Sequence, residues 1–189
     1  MSRPAVFLDR DGTILDELGY LTPASTIHIY PFSIDAMRLL ARAGYAVVVI
    51  TNQGGIGLGL YDHAFVDRTH AALGKTFAEG GAEIAGWYYC PHHPEAVVAE
   101  WKSVCECRKP ATGLVTAAAR DLDLDLSASW VVGDQWRDIE VAHRTGGRSV
   151  LVRTGYGRGL EAEWPADIAP PTHVSDDLLA AADHIVKSE

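Results

Sequence analysis

An α/β fold, a parallel sheet with helices on both faces, is predicted by three observations. Strand and helix signals alternate along the whole chain. Ala46-Val47-Val48-Val49-Ile50 is a continuous apolar run rich in β-branched residues, as in a strand buried on both faces. Acids or a threonine follow directly on several apolar runs, which suits the carboxyl edge of an open sheet, where ligands bind. At 189 residues the chain suits one domain, 1–189, able to bury about 70% of its unfolded surface.

The elements follow in order. Ala5-Val6-Phe7-Leu8 is a first strand, and Ile34, Met37, Leu40 and Ala41 recur at helical spacing behind Ser33 until Gly44 ends the segment. The run 46–50 is the second strand. Asp62 is placed to cap a helix reaching Glu79, closed by Gly80-Gly81. Trp87-Tyr88-Tyr89 is a third strand, Leu114, Ala118 and Leu122 mark a helix, and Trp130-Val131-Val132 is a strand. Ile139 with Ala142 marks a helix, Ser149 to Val152 a strand, and Leu178, Ala182 and Ile185 a last amphipathic helix. The stretch from Trp164 to Pro171 reads as a surface crossover.

Sixteen Lys and Arg stand against 25 Asp and Glu, for a formal net charge of -9, and no basic tract interrupts the chain. A nucleic-acid partner is therefore disfavoured, whereas a small phosphorylated metabolite can still be met by a local cluster of cations and metal. No apolar run approaches about 20 residues, and the N-terminus lacks a charged, apolar leader. A cytoplasmic monomer with no membrane association is expected.

Asp9-Arg10-Asp11-Gly12-Thr13 stands where the first apolar run ends, so two carboxylates two residues apart meet the mouth of the sheet. Such a pair can hold a hard cation and do covalent or acid/base chemistry. Asp and Gly also mark ordinary turns. Further along come Thr51 after the second strand, Lys109, and Gly133-Asp134 with Asp138 after another strand. Turn and cap chemistry explains these pieces singly, but not their common position at strand ends.

In that order and context the four pieces resemble the haloacid-dehalogenase (HAD) superfamily of phosphohydrolases. The resemblance implies a three-layer Rossmann-like core. It makes Asp9 the nucleophile that forms an aspartyl-phosphate and Asp11 the general acid that protonates the leaving alcohol and then activates water. Asp134 would hold Mg²⁺ with the Asp9 carboxylate and the Asp11 backbone carbonyl, and Thr51 and Lys109 would cradle phosphoryl oxygens. Asp138 reads as a supporting or capping acid.

The only cysteines are Cys90, Cys105 and Cys107, close to His92 and His93. Three thiolates and one imidazole make the ligand set of a closed tetrahedral zinc site, with either histidine as the fourth ligand. The loop 90–107 runs straight into Arg108-Lys109. Zinc would order it and so position both cations without taking part in chemistry.

With this loop the resemblance narrows to the zinc-containing D-glycero-D-manno-heptose 1,7-bisphosphate 7-phosphatases and their histidinol-phosphatase relatives. It rests on Asp9 to Thr13, Gly19-Tyr20, Thr51-Asn52-Gln53, Cys90-Pro91-His92-His93-Pro94, Arg108-Lys109, Gly133-Asp134 and Arg153-Thr154-Gly155. It implies His92 as the zinc ligand, a minimal cap, and substrate binding by Arg10, Glu17, Leu18, Gly19, Tyr20, Asn52, Gln53, Gly54 and Arg108 beside the catalytic positions. The implied reaction is Mg²⁺-dependent removal of the 7-phosphate from heptose 1,7-bisphosphate. The long zinc loop and Arg153 to Gly157 favour the heptose enzymes over the histidinol phosphatases. Gly54 to Gly59 departs from the family's usual S-G-I-A-R-G, losing a hydroxyl and, at Leu58, an arginine. Ala111-Thr112-Gly113 replaces a common K-P-G. A catalytically silent, zinc-stabilised binding protein is the non-enzyme alternative, and retention of both Asp9 and Asp11 argues against it.

Overall fold

The computed structural model describes residues 2–21 and 26–188. Its six strands are β1 (Arg3–Leu8), β2 (Ala46–Asn52), β3 (Gly86–Cys90), β4 (Leu124–Gly133), β5 (Arg148–Val152) and β6 (His173–Ser175). They form one sheet in the order β3-β2-β1-β4-β5-β6, and every pairing is parallel. The helices are α1 (Ser33–Arg42), α2 (His63–Glu79), α3 (Gly113–Leu122), α4 (Trp136–Thr145), α5 (Gly157–Ala162) and α6 (Leu178–Lys187).

The two-residue period of a strand divides the apolar side chains between two cores. Val6 and Leu8 face one core with Met37 and Leu40 of α1, Phe77 of α2 and Ile185 of α6. Ala5 and Phe7 face the other, with Val115 and Ala118 of α3 and Val141 of α4. The result is the expected three-layer α/β arrangement. Phe7 is 1% exposed, and truncating a side chain so buried to Ala costs about 3–5 kcal/mol.

Local chemistry sets the ends of the elements. Asp62 caps α2 by accepting the Phe65 N–H at 2.8 Å, and Asp177 caps α6 in the same way through Ala180. Ser33 behaves differently from a cap: it is the first residue of α1, Phe32 holds the cap position, and the Ser33 hydroxyl donates to the Ile14 carbonyl at 2.7 Å. That bond ties α1 to the turn that follows β1. The short α5 and β6 carry no periodic signal in the sequence, and the stretch from Trp164 to Pro171 joins them.

Strand order reverses between β1 and β4, which opens a crevice at their carboxyl ends. Asp9 follows β1, Asp134 follows β4, and Thr51 lies near the end of β2. Among the described residues no helix is long and apolar enough to cross a membrane.

Candidate active site

Asp9 is almost buried and continues the sheet ladder, its N–H donating to the Val132 carbonyl at 2.9 Å. The chain then turns sharply at Gly12, where φ is 80° and a Cβ would collide with the Asp134 carboxylate. Thr154 Oγ1 fastens the same turn by donating to the Gly12 carbonyl at 2.6 Å. Asp11 therefore projects toward the crevice, held by Arg10 on one side and by Gln53 Nε2 at 3.1 Å on the other.

Lys109 is the centre of the charge arrangement. Its ammonium is buried, 2.7 Å from Asp9 Oδ1 and 2.6 Å from Asp138 Oδ1, and also donates to the Ile50 carbonyl at 3.0 Å. Burial acts to lower its pKa, but the Asp138 and Asp9 carboxylates outweigh that and raise it. The backbone of Lys109 is clasped from both sides by the Asn52 side chain, at 3.0 and 3.1 Å. Asn52 thus positions the cation by holding its main chain. Asp138 also accepts the Gln135 N–H at 3.2 Å, so it both caps α4 and pairs with Lys109.

Asp134 is fully buried, one oxygen accepting the Tyr156 N–H at 2.8 Å and the other without a hydrogen-bond partner. Burial, with Asp9 and Asp138 nearby, pushes its carboxyl well above the usual range. Oxygens of Asp9, Asp134 and Asp138 lie within 4.8 Å of one another. One ammonium pairs with two of the three carboxylates, and the third, Asp134, keeps an orphaned buried oxygen. This donor set fits a hard divalent cation. The Asp11 side chain is not part of the cluster, so a role for Asp11 at such an ion is left to its backbone carbonyl.

A cavity of about 260 Å³ opens above these groups. Of the residues expected there, Asp9, Asp11, Glu17, Gly19, Tyr20, Thr51, Asn52, Gly54, Arg108 and Lys109 line it. Three others do not. The Arg10 guanidinium is buried against Asp11 and His70, Gln53 is turned inward to Asp11, Thr51 and Tyr61, and Leu18 faces a neighbouring hollow. Any contact Arg10 makes in the cavity must come from its backbone. Asp138 lines the cavity as well, and Gln135, Arg137 and Tyr156, which sequence reasoning missed, complete the lining. Gln135 and Arg137 flank the Gly133-Asp134 to Asp138 turn, and Tyr156 lies in Arg153 to Gly157, so motif neighbourhood was the available signal.

The Glu17 carboxyl is pushed up to about 7 by burial and by Asp11 and Asp9, while the Gly19 N–H it accepts acts in the opposite direction.

The second cluster forms as the cysteine spacing suggested. Ligand atoms of Cys90, His92, Cys105 and Cys107 all lie within 4.8 Å of one another. His92 turns Nδ1 inward, 3.4 Å from Cys107 Sγ and 3.6 Å from Cys90 Sγ, whereas His93 Nδ1 accepts the Glu95 N–H. Three thiols and an imidazole converging in this way fit a tetrahedral metal. The cluster is wired to the cavity: the Arg108 N–H donates to Cys105 Sγ at 3.3 Å, and Arg108 Nη1 donates to the His92 carbonyl at 2.8 Å.

A family model described as HAD-hydrolase-like matches residues 106–181. The D-glycero-beta-D-manno-heptose-1,7-bisphosphate 7-phosphatase of Salmonella typhi is 42% identical over 167 residues, covering 88% of this chain and 89% of the relative. The enzyme of the same name from Escherichia coli K12 is also 42% identical, over 88% of this chain and 87% of its own. Among solved structures, a D,D-heptose 1,7-bisphosphate phosphatase from B. bronchiseptica, crystallised with magnesium and phosphate, superposes with a TM-score of 0.86. It is 31% identical, and the match covers 98% of this chain and 99% of that one. Identity at this level over nearly nine-tenths of both partners cannot come from a shared fold alone. The chain belongs to the D-glycero-beta-D-manno-heptose-1,7-bisphosphate 7-phosphatase family of HAD-like phosphatases.

Proposed function

We propose that the protein hydrolyses the 7-phosphate of D-glycero-D-manno-heptose 1,7-bisphosphate. The observation that carries this reading is the Asp9–Lys109–Asp138 ion-pair chain beside Asp134 at adjacent strand ends, in a chain 42% identical to enzymes of that name. Asp9 attacks phosphorus, and Asp11 gives its proton to the departing alkoxide. Asp11 then takes a proton from the water that hydrolyses the aspartyl-phosphate. Lys109 holds the Asp9 carboxylate in place and, with the Thr51 hydroxyl, meets phosphoryl oxygens. Glu17, Gly19, Tyr20, Gly54 and Arg108 shape the sugar site.

Two metals fit the donor sets. Mg²⁺ held by Asp9, Asp134 and the Asp11 carbonyl would supply the positive charge that offsets repulsion between a carboxylate nucleophile and a phosphate dianion. Zn²⁺ held by Cys90, His92, Cys105 and Cys107 would order the 90–107 loop. We read 1–189 as a single domain acting as a cytoplasmic monomer on a small phosphorylated sugar. Its net charge of -9 opposes a nucleic-acid partner.

Phosphate release in Mg²⁺ tests this, with both anomers of heptose 1,7-bisphosphate compared with histidinol phosphate. We expect a heptose bisphosphate to give the highest kcat/KM and Asp9→Asn to lose about a thousandfold or more in kcat. Equal or better turnover of histidinol phosphate would overturn the heptose assignment. An Asp9→Asn enzyme within about tenfold of wild type would overturn the covalent role.

A further inference from the structure

The cavity above Asp9 shares a wall with a second hollow of about 580 Å³. That hollow is lined by Lys102, Arg108, Lys109, Arg137 and Arg144 and by no carboxylate, although the chain as a whole carries -9. Arg108, Lys109 and Arg137 line both spaces. Lys109 is committed to Asp9 and Asp138, and Arg144 to Glu140 at 3.0 Å. Arg108 and Arg137 have no carboxylate partner among the described residues. Two unneutralised guanidiniums on one sill, beside a reaction centre, form a site for an anion that is not the reacting group.

Arg137 is held where it can serve. It lies in the first turn of α4, one residue before Asp138, whose side chain is fixed by Lys109. Successive helix residues point about 100° apart, so Asp138 can turn into the core while Arg137 reaches the cavity mouth. Its guanidinium lies 5.5 Å from the Trp136 ring centroid, a contact that limits its wandering. Arg108 comes from the other side of the sill, anchored by one nitrogen to the His92 carbonyl.

We propose that Arg137, paired with Arg108, grips the second phosphoryl group of a bisphosphorylated substrate while the first is held at Asp9. This rests on the sugar-bisphosphate reading above and adds a specificity-determining residue to it. The ligand is a phosphate monoester dianion. Arg108 supplies one fork from the end of the cysteine-bearing loop and Arg137 the other from α4, so the remote phosphate adds a bridge between two segments already joined by the Lys109–Asp138 pair and by Arg144 donating to the Pro110 carbonyl. The cost of losing either arm falls on substrates that carry the remote group.

The test compares kcat/KM for heptose 1,7-bisphosphate with that for heptose 7-phosphate, which lacks the remote group. Wild type, R137A, R137K, R108A and R108A/R137A are measured. The ratio should fall about tenfold or more in R137A, recover in part in R137K, and fall further in the double variant than in either single one. Inhibition by the product heptose 1-phosphate should weaken about tenfold in R137A. A ratio and an inhibition constant unchanged in R137A, in an enzyme whose wild type favours the bisphosphate, overturn the role of Arg137 and leave the heptose reading standing. A wild type with no preference for the bisphosphate overturns both.

Discussion

Arg10 and Asp11 are neighbours in the chain and partners in space: Arg10 Nη2 lies 2.8 Å from Asp11 Oδ2, and Nε is 3.2 Å from each carboxylate oxygen. The pairing is a two-pronged charge-assisted hydrogen bond, strong because Arg10 is only 1% exposed. Behind it, Arg10 Nη1 lies 3.2 Å from His70 Nε2. The acid proposed to handle the leaving group's proton thus has its rotamer fixed from within the protein.

If that clamp matters, Arg10→Lys should lower kcat about tenfold while changing KM far less, because Lys keeps the charge and loses the fork. Steady-state kinetics with a thermal unfolding midpoint on the same sample check this. An unchanged kcat in a folded variant would show that Asp11 needs no clamp.

Protein purified without chelator should carry about one equivalent of zinc, since all four donors converge. Cys107→Ser should lose zinc and lower kcat, because Arg108 and Lys109 follow directly, and added Mg²⁺ should not restore it. His93→Ala should retain the metal. Elemental analysis finding less than about half an equivalent in wild type would remove zinc from the account.

Gly155 has φ of 54°, and a Cβ there would collide with the Asp134 carboxylate and the Gly12 backbone. Gly155→Ala should therefore displace Asp134 and raise the Mg²⁺ concentration for half-maximal activity about tenfold, with zinc content unchanged. A Mg²⁺ titration of the variant decides. An unaltered midpoint would mean that Asp134 is not at the ion.

His70 is buried, stacked on Trp87 with centroids 4.6 Å apart, and its pKa is lowered from 6.5 to about 3 by burial first and then by Arg10. The unfolded chain therefore binds a proton that the folded chain refuses between those values. Stability should fall as pH drops below 6.5, by up to about 1.4 kcal/mol per pH unit from this residue. His70→Gln keeps an acceptor for Arg10 and should flatten the slope. Denaturant unfolding at several pH values measures it, and parallel slopes for the two proteins would assign the acid sensitivity elsewhere.

Much of the molecule was legible because its signals are local. The 46–50 run and the Asp62 cap depend on composition and on hydrogen bonds within one turn, and both appear as expected. The three-residue β6 and the six-residue α5 are too short to show a period, and partners in the sheet and core fix them. At the site, residue types at strand ends singled out Asp9 and Asp134, and the structure brings Lys109 to Asp9 from the loop that precedes α3. Direction was not legible: nothing in Asp-Arg-Asp says that the arginine turns inward to His70, sixty positions away. Arg137 escaped notice for the converse reason, since an arginine on a helix is ordinarily a solvated one.

The passage from β3 to β4 leaves an edge strand, crosses β2 and β1, and enters the sheet beside β1. Every other pair of consecutive described strands lies side by side. Joining non-neighbours closes a larger loop, and its entropy must be met before the contacts at β4 repay it. This passage contains Cys90, His92, Cys105 and Cys107. A metal bound there would draw its first part into a tight ring and shorten the span left to close. An ion that ordered the loop ahead of Arg108 would then also set when the two halves of the sheet meet, so metal supply would govern how fast the chain folds as well as how well it turns over.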